Sequence, residues 1–327
     1  MSSERPGPVV RAGMTTGLAV PVDRDAVGEA AAVLGERAER DAPLGARTTY
    51  RVGGTAALLV EVHSDDDLRA VAEARRRSSL PLLVVGLGSN LLVADRGFGG
   101  IAVVMGDGTD TLEVGPDGVV RAGGGLALPV LARRTVAAGR SGLEWAVGVP
   151  GTVGGAVRMN AGGHGSDIAS SLLSVRVADL DTGETTTWAL PRLGLAFRHS
   201  ELAGHHVVVR ADLATDAGDR PVGERLLGEI VRWRRENQPG GQNAGSVFVN
   251  PLPLSAGGLI DDLGLKGLRI GSAMVSHKHA NFVQADEGGS ADDVKALIDE
   301  LARRVSRHHG IDLRPEVRLV GFDAEVG

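Results

Sequence analysis

The sequence predicts an α+β fold with many short strands and a few helices. The chain has 327 residues with 43% hydrophobic content, which is enough for two or three domains with real cores. Short apolar runs bounded by glycine and polar residues predict the strands. Amphipathic segments with recognisable caps predict the helices. The short strands outnumber the helices, which is an α+β arrangement.

The start of the chain is interpreted as an N-terminal extension over residues 1–40, with one helix through 27–40. Its first residues have no apolar core long enough for a signal peptide, and no window of the chain holds eighteen uncharged apolar residues. The sequence contains no cysteine, which excludes disulfides, iron–sulfur clusters, thiolate zinc sites and a catalytic thiol. We therefore expect a cytoplasmic protein whose redox chemistry would need a bound cofactor.

The next elements begin after Tyr50, where a glycine turn leads into a strand. Ser64 is expected to cap a helix that has aspartates at 65–67 and arginines at 75–77, which suit the two ends of the helix dipole. The strand Leu82–Val85 then runs directly into GLGSNLL. Four residues of this motif, Gly86, Gly88, Ser89 and Asn90, would present backbone N–H groups and small polar side chains at a strand end. Such a strand end can seat a diphosphate.

This motif is weak evidence when it is taken alone. GLGSNL lacks the third glycine of GxGxxG, so it is not the dinucleotide fingerprint of a Rossmann fold. A plain turn is the alternative. The sequence also contains no GxxxxGK[ST], HExxH or GxSxG motif.

A second glycine-rich stretch, GVPGTVGGAVRMNAGGHG, covers residues 148–165. It holds seven glycines in eighteen residues, yet it keeps apolar residues at Val149, Val153, Val157 and Met159, unlike a flexible linker. Glycine removes the Cβ that would keep a ligand away from the backbone. The stretch therefore indicates either main chain pressed against a flat or phosphorylated ligand, or a tight buried turn between two strands.

The remaining elements follow in order. A helix is predicted over 128–138, and strands are predicted near 173–179, 185–189 and 207–211. A helix that starts at Arg220 is interpreted as opening a second domain, with the boundary near residue 215. Ser290 caps a last amphipathic helix, which Gly310 ends, and PEVRLVG follows as a strand.

The net charge is −6 and no basic face is evident. This balance argues against nucleic acid or an anionic membrane as the main partner. A small anionic ligand in a locally positive pocket is compatible with it.

Seven motifs occur in one order: YRVGG, GLGSNLL, GLEWAVGVPGTVGGAVRMNAGGHG, FRHS, NAGSVFVNP, AGGLIDDLGLKGLRIGSAMVSHKHANF and PEVRLVG. Over roughly residues 40–322 the chain resembles the UDP-N-acetylenolpyruvoylglucosamine reductase family. The resemblance implies an FAD-binding domain of the vanillyl-alcohol-oxidase (PCMH) type over 41–214, followed by a smaller α+β substrate-binding domain over 215–327. It also implies NADPH as hydride donor and reduction of an enolpyruvyl ether to a lactyl ether.

Three residues would carry this chemistry. Arg198 in FRHS is a permanent cation with forked donors that can grip a carboxylate as negative charge develops beside it. Ser246 in NAGSVFVNP follows a flexible Ala-Gly pair, and the resemblance makes it the proton donor. Glu316 in PEVRLVG would act with Arg198 in stabilising the enolate-like intermediate. Without the resemblance, a loop arginine, a turn serine and an edge-strand carboxylate are the alternatives.

The resemblance also implies the binding residues. Asn250, Arg234 and His279 are expected to bind substrate, and no metal is expected, because the histidines form no three-ligand set. The expected cofactor contacts are Tyr50, Gly86, Gly88, Ser89, Asn90, Gly148, Gly151, Thr152, Gly154, Gly155, Asn160 and Gly162.

Three positions depart from the family pattern. Val249 and Asn237 stand where the family usually has lysine, and His164 stands where it usually has tyrosine. Arg232, Arg234 and Arg235 on the preceding helix are candidates to replace the missing positive charge. The alternatives are a paralogue that acts on another nucleotide-sugar or enol-ether substrate, and a non-catalytic flavin-binding module. We expect a monomer whose partners are small molecules, with no nucleic acid and no membrane.

Overall fold

The computed structural model describes residues 23–322, which fold as an α+β protein. The helices of these residues are α1 (Arg24–Leu34), α2 (Asp65–Ser78), α3 (Leu128–Ala137), α4 (Val153–Met159), α5 (Leu190–Leu193), α6 (Arg220–Asn237), α7 (Ala256–Asp262) and α8 (Ala291–His309). The strands are β1 (Ala38–Ala42), β2 (Ala56–Val62), β3 (Leu82–Val85), β4 (Leu91–Val93), β5 (Phe98–Met105), β6 (Leu112–Val114), β7 (Val119–Gly123), β8 (Arg140–Ser141), β9 (Gly162–Gly163), β10 (Ser166–Asp167), β11 (Leu172–Asp179), β12 (Thr185–Ala189), β13 (His206–Ala214), β14 (Asp216–Ala217), β15 (Arg269–Ile270), β16 (Ala273–Val275), β17 (Val283–Ala285) and β18 (Arg318–Val320).

The first sheet has the strand order β1-β2-β5-β3. Strands β2 and β3 both run parallel to β5, whereas β1 is antiparallel to β2. Successive side chains of a strand point to opposite faces, so Leu58 and Val60 pack with α1 and α2 while Leu59 packs in a second core on the other face. As expected, Ser64 caps α2, which has acidic residues in its first turn and arginines in its last.

The predicted N-terminal extension is corrected by this sheet. Residues 23–40 are part of the first domain, because Ala30 and Leu34 of α1 are fully buried against it and β1 pairs with β2. The predicted helix over 27–40 is present but ends at Leu34, since Gly35 caps it at a φ of 57° and the chain then turns towards β1. Residues 1–22 lie outside the described residues.

A second, antiparallel sheet has the order β12-β11-β13-β7-β6. Its core also contains side chains of α3, α4 and α6. Here the predicted domain boundary near residue 215 is corrected, because Leu227 and Ile230 of α6 are buried in this core and β14 pairs with β8. The first helix assigned to the second domain therefore packs with the first domain.

The C-terminal unit consists of α7, α8 and the three-stranded sheet β15-β16-β17. Helix α8 begins after the Ser290 cap, ends at Gly310 and buries one apolar face, as its sequence predicts. Its buried residues are Ala291, Val294, Leu297, Ile298, Leu301 and Val305.

Several contacts join the C-terminal unit to the first domain, and two of them are made at or just after β4. Strand β18 returns to pair in parallel with β4, with Arg318 opposite Leu91. The Asp95 carboxylate, just after β4, accepts hydrogen bonds from the Ser290 hydroxyl at 2.5 Å and the Ala291 N–H at 2.9 Å, at the start of α8. Among the helices of residues 23–322, none has both the length and the apolar character needed to cross a bilayer.

Candidate active site

A cavity of about 470 Å³, here called the main cavity, lies where the two glycine-rich segments and the C-terminal unit meet. It is large enough for a small organic ligand. Its wall contains main chain of residues 86–91 and 148–152 and side chains from the C-terminal unit. The residues with large or polar side chains in this lining include Arg158, His164, Arg198, Trp233, Arg234, Gln238, Ser246, Phe282, Glu316 and Arg318.

The two glycine-rich segments touch each other along this wall. The Ser89 hydroxyl donates to the Pro150 carbonyl at 3.2 Å. A Cβ on Gly86 would lie 2.6 Å from the Thr152 hydroxyl oxygen, and Gly151 has a φ of 125°, so glycine is needed at both places. The sequence alternative of a turn between two strands is wrong for 148–165, because the segment contains helix α4 and lines the cavity.

Helix α4 is fixed at both ends. The Thr152 hydroxyl accepts the Gly155 N–H at 3.2 Å, and Asn160 ends the helix in the left-handed conformation. The Asn160 amide donates to the Ala196 carbonyl at 3.0 Å and accepts the Ala169 N–H at 3.3 Å. Asn160 is buried and absent from the lining of the main cavity, so it positions the loop that carries Arg198.

Arg198 and Glu316 form an ion pair in the cavity wall. The Arg198 Nε lies 2.7 Å from the Glu316 Oε1, and their side chains are 23% and 20% exposed. The terminal nitrogens of Arg198 donate longer bonds, 3.4 Å to the Asn160 carbonyl and 3.2 Å to the Gly162 carbonyl. Burial raises the pKa of the Glu316 carboxyl, and the charge of Arg198 opposes this rise.

Ser246 lines the same cavity beside this pair. Gly245 turns the chain with a φ of 78°, and buried Val247 anchors the loop by donating its N–H to the Asn281 carbonyl at 2.9 Å. Glu316 joins the loop as well, since its N–H donates to the Val247 carbonyl at 2.8 Å. Within residues 23–322 the Ser246 hydroxyl has no protein hydrogen-bond partner. The fold thus brings Arg198, Ser246 and Glu316 to one cavity.

Arg234 is the member of its arginine group that reaches the cavity. It donates to the Gly148 carbonyl at 2.6 Å, and burial lowers the pKa of its guanidinium. Arg232 and Arg235 are exposed on the same helix and are absent from the cavity lining. His164 lines the cavity edge-on to the Trp233 ring, with centroids 5.0 Å apart.

Some expected binding residues are elsewhere. Tyr50 is fully buried in the C-terminal core, where burial raises the pKa of its phenol, so it does not line the cavity. The Asn250 amide oxygen accepts the Ala256 N–H at 3.0 Å at the start of α7. His279 packs behind the lining residue Phe282, with ring centroids 4.8 Å apart. None of these three residues is part of the main cavity lining.

A narrower cavity of about 90 Å³, here called the side cavity, opens beside the main one, between β3 and β13. Gly154 lines this cavity instead of the main one. The wall common to both cavities, here called the throat, consists of Val84, Gly86, Thr152, Gly155, Arg158 and Arg318.

The sequence reasoning missed Arg158 and Arg318. With Arg198 and Arg234 they put four arginines in the main cavity lining, against the single carboxylate of Glu316. Burial lowers the pKa of both Arg158 and Arg318, to about 10 for Arg158, which therefore remains charged at neutral pH. The only sequence signal was an arginine within each of two apolar motifs. The charge excess fits a multiply anionic ligand.

The best metal-like cluster in the described part of the chain is Asp179, His205 and His206. The His206 Nδ1 accepts the Ala203 N–H at 2.8 Å, and burial together with His205 lowers the pKa of the ring. The neutral ring therefore carries its proton on Nε2, the nitrogen that faces Asp179 at 3.8 Å. A protonated nitrogen has no lone pair for a metal, so this bonding pattern is unsuited to one.

FAD fits the residues of these two cavities. The glycines of both segments let a ligand reach the main chain, and a Cβ on Gly86 would meet Thr152. Among buried polar atoms in residues 23–322, an Arg158 terminal nitrogen at the throat lacks a hydrogen-bond partner. A cofactor with an anionic middle and two planar ends matches two cavities joined by a positive throat.

Comparison with known proteins identifies the family. The profile of the UDP-N-acetylenolpyruvoylglucosamine reductase C-terminal domain matches residues 237–320, and that of an FAD binding domain matches residues 56–188. The UDP-N-acetylenolpyruvoylglucosamine reductase of Synechococcus sp. (strain WH7803) is 42% identical over 290 residues, covering 87% of this chain and 94% of the relative. That of Heliobacterium modesticaldum is 43% identical over 282 residues, covering 85% and 89%.

A solved structure gives the same result. The crystal structure of the reductase from Thermus caldophilus superposes with a TM-score of 0.76 at 36% identity, covering 87% of this chain and 99% of that one. The predicted fold class is thus confirmed, an FAD-binding domain of the vanillyl-alcohol-oxidase type followed by a smaller domain. The protein is an FAD-dependent oxidoreductase. The chain belongs to the UDP-N-acetylenolpyruvoylglucosamine reductase family.

Proposed function

We propose that this protein reduces UDP-N-acetylenolpyruvoylglucosamine to UDP-N-acetylmuramate with NADPH, a step of peptidoglycan precursor synthesis. The observation that carries the proposal is the meeting of Arg198, Glu316 and Ser246 in one cavity of a chain that belongs to this family. When bound, the flavin supplies hydride transfer from NADPH to the terminal carbon of the enolpyruvyl group.

Arg198 stabilises the negative charge that develops next to the substrate carboxylate. Its Nε is held by Glu316 at 2.7 Å, which fixes the plane of the guanidinium. Its terminal nitrogens make only long bonds to main-chain carbonyls, at 3.2 and 3.4 Å, so they can exchange these for the stronger, charge-assisted bonds to a carboxylate. A preorganised cation of this kind acts mainly on the transition state.

Ser246 donates the proton to the carbon that carries this charge. Its hydroxyl has no partner among the described residues, so its proton is free to point into the cavity. A serine is a weak acid in water but adequate towards a carbanion-like centre held beside it in a site that excludes water.

The departures from the family pattern do not oppose this substrate. Val249 and Asn237 are absent from the cavity lining, whereas Arg234 and His164 are part of it. We assign the substrate diphosphate to Arg234. This geometry disfavours a paralogue with a different substrate, since two of the three departures lie away from the cavity.

The proposal also covers the partners, the cellular location and the oligomeric state of the protein. The net charge of −6 is unsuited to nucleic acid as a partner, and we expect a cytoplasmic enzyme. We also expect a monomer, which size-exclusion chromatography with light scattering can check.

One anaerobic experiment tests the proposal. The yellow, FAD-containing protein is reduced with NADPH, and UDP-N-acetylenolpyruvoylglucosamine is then added while the flavin absorbance is followed. We expect reoxidation of the flavin together with formation of the lactyl ether. A flavin that NADPH reduces but this substrate leaves reduced would favour another enol ether. A protein that binds no FAD would contradict the cofactor as well.

A further inference from the structure

The throat holds two arginines, Arg158 and Arg318, that have no ion-pair partner among residues 23–322. Arg158 and Arg318 lie close enough for the charge of Arg318 to depress the pKa of Arg158. The carboxylate of the main cavity, Glu316, is engaged by Arg198 at 2.7 Å. Two like charges in a partly buried wall without a counter-ion destabilise the folded state, because burial weakens their solvation and they repel each other.

The hydrogen bonding of the Arg158 guanidinium is incomplete among residues 23–322. One terminal nitrogen is fully shielded from solvent and lacks any hydrogen-bond partner in the described chain. The Arg158 residue lines both cavities and therefore lies at the passage between them. Buried polar groups normally have hydrogen-bond partners, so the unpartnered Arg158 guanidinium indicates that an anion binds at this passage.

The size and the lining of the two cavities indicate what kind of anion would bind between them. The main cavity contains the polar groups Arg198, Ser246 and Glu316. The side cavity is narrow and largely apolar, with Leu82, Leu202 and Val207 in its wall. A dinucleotide that spans both would place its two planar ends in the cavities and its diphosphate between them.

We propose that Arg158 and Arg318 clamp the FAD diphosphate at the throat and supply its counter-charge. This inference rests on the FAD assignment but not on the substrate. The apoprotein then contains an electrostatic defect that the cofactor removes, so the same residue strengthens FAD binding and weakens the empty protein. A residue that only supports the fold would stabilise both the flavin-free and the FAD-bound protein.

The test compares Arg158→Met with the wild type in the full-length chain, after the flavin has been removed and re-added. Quenching of flavin fluorescence gives the Kd for FAD and for riboflavin, which lacks the diphosphate. We expect Arg158→Met to weaken FAD about 10- to 150-fold, as for loss of a charge-assisted hydrogen bond, and riboflavin less than about twofold. Arg158→Lys, which keeps the charge, should lose less than about tenfold.

Thermal unfolding provides the second readout. We expect the Tm of flavin-free Arg158→Met to be higher than that of the wild type, and the Tm increase on adding FAD to be smaller. Arg133→Met is the matched control, because Arg133 is exposed on α3 and absent from the linings of both cavities. It should change neither quantity.

Three outcomes would overturn the inference. Equal loss of FAD and riboflavin would place the pair against the flavin ring, and the midpoint potential of the bound flavin would then fall as well. Unchanged FAD affinity would mean that the pair faces another ligand. A lower Tm of the flavin-free variant would mean that Arg158 has a structural partner. If the wild type itself binds no FAD, the cofactor assignment fails first, which separates the two failures.

Discussion

Arginines are paired differently in two parts of the main cavity. One part is the throat, and the other contains Arg198, Ser246 and Glu316 and is here called the catalytic end after its proposed role. At the catalytic end, Arg198 meets Glu316 at 2.7 Å, and both side chains remain about one-fifth exposed. At the throat, Arg158 has Arg318 as its charged neighbour and leaves a buried nitrogen without a partner in residues 23–322. The Arg198 charge is therefore paired within the protein, whereas Arg158 has no counter-charge among the described residues.

This difference in pairing predicts that the arginines at the two places have different roles, one in orienting a reacting group and the other in ligand affinity. A cation that is already paired gains little from binding a ligand tightly, but its orientation is fixed, which helps a transition state. An unpaired cation gains its counter-charge only on binding, so it contributes mainly to affinity. Substitutions at the catalytic end should thus act on rate, and substitutions at the throat should act on cofactor retention.

The largest effect is expected for Ser246→Ala. Removal of the proposed proton donor should slow flavin reoxidation by the enol ether about 10²- to 10⁴-fold, towards the upper part of this range when bound substrate excludes water from the site. Flavin reduction by NADPH needs no proton from Ser246 and should stay nearly intact. Stopped-flow absorbance measures both half-reactions separately.

A matched control is Ser170→Ala, which alters an exposed serine outside the main cavity lining and should leave both rates unchanged. Equal loss in the two half-reactions of Ser246→Ala would make Ser246 structural and would remove the distinction between the two ends.

The second prediction concerns Arg234, which should bind substrate without acting on rate. Arg234→Met should raise the KM for the UDP substrate about 10- to 150-fold with little change in kcat, as for loss of one charge-assisted bond that exists in both ground and transition state. Arg235→Met, one residue along the same helix but outside the cavity lining, should leave KM unchanged. Steady-state kinetics decides, and a fall in kcat equal to that in kcat/KM would assign Arg234 to the chemical step.

The third prediction compares the catalytic end with the throat through the free energy of unfolding of the flavin-free protein. Arg198→Met leaves Glu316 without its partner and should lower the free energy of unfolding of the flavin-free protein by about 1–3 kcal/mol near neutral pH, less than for a fully buried pair because both side chains are partly exposed. Urea denaturation measures it. A stabilised Arg198→Met variant would show that the two ends are alike.

The smallest effect is a pH dependence. Burial raises the pKa of Glu316 above its ordinary value, so between these two values the folded state binds more protons than the unfolded state. The free energy of unfolding contributed by this group is therefore highest on the acid side and falls as the pH rises through the folded pKa. Glu316→Gln should flatten this slope relative to the wild type in urea denaturation at successive pH values. An unchanged slope would mean that Glu316 does not titrate abnormally.

Local signals in the sequence predicted several elements well. The Ser64 and Ser290 caps and the charges at the helix ends fixed α2 and α8, because these interactions lie within a few residues of each other. Strand β12 was predicted with its observed ends. Arg198, Ser246 and Glu316, the proposed catalytic residues, were found through motif resemblance, and the fold brings them to one cavity.

The features that could not be predicted from the sequence depend on packing between residues that are far apart in the chain. Leu227 and Ile230 look the same in sequence whichever core receives them, so the domain boundary was misplaced. Tyr50 was expected at the cofactor, but tertiary packing buries it in the C-terminal core. Arg158 was missed because its importance depends on having no carboxylate partner among the described residues, which is a property of the folded structure and leaves no sequence motif.

The pairing of β18 with β4 has a consequence for how the enzyme is made. Asn90 donates to the Glu316 carbonyl at 3.0 Å across 226 positions of sequence. Domains form in order as a chain leaves the ribosome, and contacts over such separations form late. Glu316 and Arg318 are synthesised after all other residues of the cavity wall, so a nascent chain presents a cavity with one side open. Under the proposal for the throat, FAD gains its full set of contacts only after Arg318 has been synthesised.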